Sequence, residues 1–476
     1  MRIIKNFFYN IGYQVLIIIV PLILAPYISR VVGPDGVGTY SYTYSIVMLF
    51  GLFANLGIAK YGNREISKCG ESRELRTQVF SELFSVKIVT SIVVLMVYLC
   101  FIKISGESYT IAFYVQIFNL LSFMLDISWF FWGMQEFRIT TAICTIYNVL
   151  SIFIIFAFVK TDQDIYVYIF ILAFRAFLIQ LTPWLFVHRY VDVRLLWKDA
   201  FRKHWKSLLL LFFPVFAKYL YNMMDRIMIG NMVGIREVGY YENVQSIVIT
   251  AVTVLTATGD VVMPRMTRMY VEGETEKAAS LFRGTFHLIS YISVGIMFGF
   301  IAVAAEFIPW FYGNQFISCI HLLQMIAPVV LFSGYADLIR NVFLLPHYMD
   351  KEYVVALISG AVINFIINFS LIRPYGSAGA IIGTVCAEFL VMIMQFLFVR
   401  NEVKIGYFLR QTIVYCVMGG MILIVCKLVN LSVENPLINI VLDVLVGGGI
   451  YTTLVYLYLR FVERKTFDIW QEIRIE

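Results

Sequence analysis

Val32-Gly33-Pro34-Asp35-Gly36-Val37-Gly38-Thr39-Tyr40 returns 201 positions later as Val233-Gly234-Ile235-Arg236-Glu237-Val238-Gly239-Tyr240-Tyr241. The match continues through Ser45-Ile46-Val47 and Ser246-Ile247-Val248, so eight of the sixteen positions from 32 to 47 are identical to their partners. The same offset sets Arg64 on Arg265. Each copy interrupts a long apolar stretch. A duplication of this kind predicts two related helix bundles about a pseudo-twofold with a shared interface, and in transporters that interface houses the substrate.

Composition says what solvent surrounds those bundles. The 476-residue chain is 60% hydrophobic and only 14% charged, with a mean hydropathy of +0.81, whereas soluble chains carry about 25% charged residues. A crossing helix needs ~20 apolar residues. Fourteen candidate spans satisfy that, at 8–32, 37–59, 79–102, 109–133, 139–159, 165–187, 207–231, 238–262, 284–307, 318–345, 354–372, 378–398, 408–429 and 437–459. The first begins at Phe7–Tyr9, is too long for a signal-peptide core and lacks a small-residue cleavage site, so it is expected to be retained. Weak alternation and short polar gaps exclude a β-barrel.

Lysine and arginine then set the orientation. With both termini in the cytoplasm, the inner loops and ends hold 26 of the 37 bases. The outer side holds six, namely Arg30, Lys103, Lys160, Arg236, Arg373 and Lys427. Such a bias is the positive-inside signal and requires an even number of spans. The net charge of +6 therefore reports topology and not a nucleic-acid partner. Seven cysteines form no CxxC and five histidines have no metal-ligand spacing, so neither a metal nor another cofactor is expected. His188, His204, His287, His321 and His347 lie mostly near span ends, where solvated or interfacial positions are expected.

The outer connections, such as Gly33–Gly38 and Met232–Glu237, are too short to hold an extracytoplasmic catalytic domain. Three inner connections are longer and basic: 60–78, 188–206 and 264–284. The middle one, with Trp197, Phe201 and Trp205 among its bases, reads as an amphipathic helix on the inner leaflet. The offset pairs span 1 with span 7, so the copies run in the same direction as parallel repeats. The expected domains are an N-lobe over 1–200 with the basic linker 188–206, a C-lobe over 207–398, and two appended spans with a cytoplasmic tail over 399–476.

Lys87, Arg175, Lys218, Arg226 and Arg340 fall inside spans. A charge at the bilayer centre costs about 2.5–3.5 kcal/mol on the insertion scale, so these bases must be paired or face a wet interior. The seventh span holds the densest group, with Lys218, Asn222 and Asp225/Arg226 at helical spacing. Asp225 and Arg226 are adjacent and point about 100° apart, so they are not a simple intrahelical pair. Span 10 carries Ser333, Asp337, Arg340 and Asn341, where Asp337 and Arg340 can pair at i,i+3. The first lobe adds Asn6, Asn10 and Gln14 at i,i+4 spacing, and Gln116, Asn119 and Asp126 along span 4; span 12 adds Glu388. Helix–helix hydrogen bonding accounts for any one of these polar residues as well as a ligand does. Together they put a cation-bearing polar surface on both lobes, suited to a large hydroxyl-rich anion. The expected substrate-contacting set is Lys218, Arg226, Arg175, Lys87, Arg340, Asn222, Asn10 and Gln14, and the ion-coupling candidates are Asp126, Asp225, Asp337 and Glu388.

With the repeated Val-Gly-x-x-x-Val-Gly-x-Tyr, the opening Asn10-x-x-Tyr13, the Gly33-x-x-Gly36-x-Gly38 turn and Asp225-x-x-x-Ile229-Gly230, the whole chain resembles the Wzx-type polysaccharide flippases of the MOP exporter superfamily. That resemblance implies a bacterial plasma-membrane transporter, not an enzyme. It would move an undecaprenyl-pyrophosphate-linked oligosaccharide from the inner to the outer leaflet by alternating access, for O-antigen, capsule or a related glycan. Implied partners are the lipid-linked glycan, membrane lipids, and the polymerase and chain-length machinery that act on the product. Two other readings remain open here. A drug exporter of the same superfamily fits five intramembrane bases poorly. A membrane sugar polymerase needs a sizeable outer loop, which the chain lacks.

Overall fold

The structure is a computed structural model that describes residues 2–106, 109–196, 200–430 and 435–463, with side chains over 23–428 and 435–463 of these. Thirteen segments among the described residues are long and apolar enough to cross a membrane, starting with Ile23–Lys68, and none of the described residues forms a strand. The chain is an all-α, multi-pass membrane protein. Its contacts divide it into two compact units, Met1–Gly239 and Tyr240–Glu476.

In the first unit the helices are α1 (Arg2–Asn55), α2 (Ile58–Lys68), α3 (Arg73–Ile104), α4 (Thr110–Val115), α5 (Ile117–Leu125), α6 (Ser128–Gly133), α7 (Phe137–Phe158), α8 (Ile165–Leu181), α9 (Trp184–Val187) and α10 (Ala200–Met232). At 54 residues α1 is long enough for two crossings, and it breaks at Gly33, whose φ of 66° and ψ of −176° are not helical. The sequence predicts a six-residue turn here; the break occupies one residue. Glycine adopts positive φ without strain, and Pro34 has a fixed φ and no N–H to leave unpaired, which suits the first helical position. Span 4 is likewise less continuous than predicted. It parts into α4, α5 and α6 at Gln116 and at Asp126–Ile127. Asp126 leaves helical geometry (ψ 110°), and its carboxylate accepts from the N–H and hydroxyl of Ser128, which starts α6.

The linker departs most from expectation. Residues 191–196 are extended, not helical, and the helix that begins at Ala200 is the start of α10. Trp197 and Lys198 lie outside the described residues. The cause lies on α3. The backbone N–H groups of Asp192, Arg194 and Leu196 donate to the hydroxyls of Thr77, Ser81 and Ser85 at 3.2, 3.3 and 2.9 Å. Hydroxyls at i,i+4 on a helix face match N–H groups at every second residue of an extended strand, because both repeats advance about 6 Å. Arg73 adds an ion pair to Asp192 at 2.8 Å.

The second unit contains most of α11 (Ile235–Val271), then α12 (Thr275–Tyr312), α13 (Cys319–Ile326), α14 (Pro328–Ile339), a π-helical turn at Arg340–Leu344, α15 (Asp350–Tyr375), α16 (Ser377–Phe398), α17 (Ile405–Asn430), α18 (Pro436–Leu442), a second π-turn at Asp443–Gly447, and α19 (Gly448–Phe461). The expected inner connection at 264–284 is mostly helical, because α11 runs through Pro264 to Val271 and α12 starts at Thr275.

Two histidines correct the solvated assignment. His204 is 2% exposed and His287 0%. His287 is held by Tyr415 and Tyr407, each at 3.0 Å. His204 bonds to Tyr61 through Nδ1 at 2.9 Å and to Glu82 through Nε2 at 2.8 Å. Glu82 also accepts from Lys203 at 2.7 Å and Gln78 at 2.9 Å, so one buried carboxylate ties α10 to α3.

Orientation is checked by labelling. Single cysteines at positions 34 and 313 are expected to react from outside in intact cells, and those at 68 and 198 only after permeabilisation. Outside labelling at 198 would reverse the assignment drawn from the basic residues.

Candidate functional site

Both copies of the repeated turn, up to Gly239, lie in the first unit, and there they pack on each other reciprocally. A Cβ on Gly38 would overlap the carbonyl of Ile235, and a Cβ on Gly239 would overlap the carbonyl of Pro34. Position 235 is the repeat partner of 34, and 239 of 38, so each copy offers the same glycine to the same carbonyl of the other. Glycine is required because backbone meets backbone with no room for a side chain. Asp35 and Arg236, also repeat partners, close the contact at 2.6 Å, both more than half exposed. Below them Gly230 lies against the ring of Tyr42, whose hydroxyl donates to Asn231 at 2.8 Å. The Tyr219 hydroxyl donates to the carbonyl of Ser45. The second half of α1 and the C-terminal half of α10 are thereby joined.

This packing decides which face of α10 remains open. Lys218 and Asn222, one turn apart, are exposed. Asp225 and Arg226 are buried, at 3% and 5% exposure. Arg226 donates to the carbonyl of Asn222 at 2.7 Å and reaches the Met223 sulfur at 3.4 Å. Pro214 lies one turn before Lys218. Its missing N–H leaves a carbonyl of the preceding turn without its helical partner, a common origin of kinks. An exposed lysine inside a crossing helix is tolerable where water reaches it.

The other expected bases divide by partner. Lys87 is fully buried; its ammonium donates to the Asp126 carbonyl at 2.6 Å and stands 3.6 Å from the Asp126 carboxylate. Arg340 pairs with Asp337 at 2.8 Å, donates to Asn341 at 3.0 Å and stacks over Tyr353. Asp337 further accepts from Thr256, and Asn341 donates to Asp260 at 3.2 Å. Glu388 accepts from Ser333 at 2.8 Å. Thus Lys87 meets Asp126, Arg340 meets Asp337 and Glu388 meets Ser333. Arg175 lies between α7 and α8 beside a cavity of about 150 Å3. It contacts the Ser151 hydroxyl at 3.4 Å, and its Nε is buried with no hydrogen-bond partner among the described residues. Gln116 and Asn119 bond to each other, and Gln116 reaches Thr43 on α1 at 3.3 Å, which joins α5 to α1. The side chains of Asn10 and Gln14 lie outside the described residues.

Thr256, Asp260 and Glu82 are not among the residues that the sequence singles out. For the first two a signal was present: 256/260 and 337/341 are both i,i+4 pairs of polar residues in apolar spans, the spacing of two helices able to hydrogen-bond twice. Glu82 falls near the start of span 3, where an acid ordinarily faces water.

Comparison with known proteins bears on this arrangement. A family described as polysaccharide biosynthesis proteins matches residues 3–270. A putative O-antigen transporter of Escherichia coli (strain K12) is 22% identical over 391 residues, covering 81% of this chain and 93% of that protein. A probable low-salt glycan biosynthesis flippase of Haloferax volcanii is 23% identical over 247 residues, 50% of this chain and 51% of that protein. Among solved structures, the lipid II flippase MurJ in an inward closed conformation superposes with a TM-score of 0.74 at 14% identity, over 96% of this chain and 99% of that one. At that identity the likeness concerns the fold.

Proposed function

The chain belongs to the polysaccharide biosynthesis protein family, within the Wzx-type branch of the MOP exporters, and we propose that it moves an undecaprenyl-pyrophosphate-linked oligosaccharide from the inner to the outer leaflet by alternating access. At the coarser level it is an inner-membrane flippase of lipid-linked glycans, not an enzyme. That level rests on a relative named O-antigen transporter aligned over 93% of its own length. The observation that carries the finer reading is the open polar face of α10, where Lys218 and Asn222 are exposed a turn before the buried Arg226.

In this reading Lys218 and Arg226 attract the pyrophosphate. Ammonium and guanidinium groups suit phosphate oxygens, and charge-assisted contacts are about twice as strong as neutral ones. Arg175 supplies a third base. Lys87 and Arg340 serve structure, since each already has a carboxylate partner. Asp126, Asp225, Asp337 and Glu388 are the candidates for ion coupling, with Asp126 and Asp337 also holding Lys87 and Arg340. The lobes 1–200 and 207–398, with 399–476 appended, move against each other, and the delivered unit passes to the polymerase and chain-length machinery. Several dispersed bases release a polyanion more readily than one tight clamp does.

The test is export of surface glycan by Lys218 and Arg226 variants at matched protein level. Lys218→Gln and Lys218→Ala are expected to lower export by about tenfold or more, since a hydrogen bond to a charged group is worth ~1.5–3 kcal/mol. Arg226→Gln is expected to act similarly while the protein remains inserted. Unchanged export, or loss of the protein from the membrane in place of loss of export, removes that residue from the site.

A further inference from the structure

A second, separate site lies in the second unit, at the end of its helices that the basic-residue count places in the cytoplasm. There the turn between α11 and α12, the segment following the π-turn at Arg340–Leu344, and residues 399–404 between α16 and α17 surround a cavity of about 550 Å3. That volume falls within the roughly 300–1,000 Å3 typical of ligand sites. Its floor is apolar: Phe282, Phe343 and Phe408 are each at most 6% exposed. His347 stacks on Phe343, with ring centroids 4.1 Å apart, and meets Tyr270 at 4.0 Å. The His347 Nδ1 is engaged by the Phe343 carbonyl at 2.8 Å, which fixes the ring.

The rim is charged. Arg283, Lys404 and Glu402 line the mouth, and all three are exposed. Among the described residues neither base has a carboxylate partner; the one hydrogen bond of Arg283 runs to the Ala279 carbonyl at a long 3.4 Å. The neighbouring bases behave differently, because Arg268 pairs with Glu272 at 2.8 Å and Lys277 with Glu274 at 2.6 Å. Two cations against one anion leave the mouth at net +1, which one phosphodiester neutralises. Glu402 is then placed to accept from hydroxyl groups carried beyond the phosphate. Just past Phe408, the apolar residues Leu409, Ile413 and Val417 form an exposed stripe along α17, at 61, 56 and 65%. In a membrane protein such a stripe faces acyl chains.

We propose that this cavity binds the headgroup of an anionic glycerophospholipid of the inner leaflet. The phosphodiester rests on Arg283 and Lys404, headgroup hydroxyls on Glu402, the glycerol on the aromatic floor, and the chains along the α17 stripe. Basic pockets between crossing helices on the cytoplasmic side are suited to such headgroups. The site is independent of the α10 face and does not require the transport reading.

The experiment uses the full chain purified in a neutral detergent. Thermal stability and binding are followed as short-chain phosphatidylglycerol, short-chain phosphatidylcholine or inorganic phosphate is added. Phosphatidylglycerol is expected to bind saturably and raise the unfolding temperature, phosphatidylcholine much less, and inorganic phosphate not at all at the same concentrations. In Arg283→Gln/Lys404→Gln the affinity for phosphatidylglycerol is expected to fall by about tenfold or more. Arg268→Gln/Lys277→Gln, the same charge change nearby, is expected to keep it. All these positions are exposed, so the variants fold, and an unchanged unfolding temperature without lipid checks this. Equal binding by both double variants, or equal binding of phosphatidylcholine, overturns the site. An equal effect of inorganic phosphate overturns the lipid assignment in favour of a soluble phosphate.

Discussion

Gly38→Val and Gly239→Val are expected to abolish most glycan export while leaving the protein in the membrane. Each glycine faces a backbone carbonyl of the other repeat copy, so the added side chain has no rotamer that escapes and the two turns must part. Overpacking of this kind costs about 1–3 kcal/mol, which disfavours the closed arrangement of the turns by roughly fivefold to a hundredfold or more. In the alternating-access cycle proposed above this contact re-forms at every turnover, and throughput then falls in the same proportion. Gly106→Val is the comparison. Its φ of 82° strains any side chain, yet nothing lies within 4 Å of its Cβ position, so its effect is on local stability and not on export. The measurement is surface glycan in a complemented deletion strain at matched expression. Equal tolerance at positions 38, 239 and 106 would make the repeat a relic of duplication without a part in transport.

Lys87→Met is expected to lower the amount of folded protein sharply. Lys87 has no exposed surface, and its ammonium holds both the carbonyl and the carboxylate of Asp126 at the break between α5 and α6. Removing one partner of a buried pair costs about 3–5 kcal/mol because the other charge is left uncompensated. Adding Asp126→Asn to Lys87→Met should restore much of the loss, since asparagine keeps the oxygen that accepts from Ser128 and carries no charge. The non-additivity of the double variant is the signature of a direct pair. Detergent-solubilised, monodisperse yield and unfolding temperature provide the reading. A Lys87→Met protein that is stable but fails to export would return Lys87 to the substrate path.

The two substitutions address features of unequal legibility. The reciprocal glycines were visible as a repeat, and the shortness of the turn between α10 and α11 followed from it. That Gly38 and Gly239 face carbonyls of each other's copy was not visible, because a repeat states equivalence and says nothing of contact. Lys87 was legible as an anomaly, a base in a crossing helix, but not as a pair, because Asp126 is 39 residues away on another helix. The linker shows the opposite failure. Its bases and aromatics had the composition of an interfacial helix, and the hydroxyl ladder of Thr77, Ser81 and Ser85 held residues 191–196 extended instead.

The sequence by itself determined the solvent and the class of the fold: long apolar runs in a bilayer form helices, since only internal hydrogen bonding satisfies the backbone there. It also determined the duplication and the family, both carried by residues whose identity can be read one position at a time. The tertiary structure alone decided which polar groups stay open. Lys218 and Lys87 are the same side chain in similarly apolar helices, yet one is exposed and the other fully buried. The difference depends on which neighbouring helix end presents a carbonyl to hydrogen-bond the ammonium and a carboxylate to pair with it. That is a matter of helix rotation and depth, and no one-dimensional period records it.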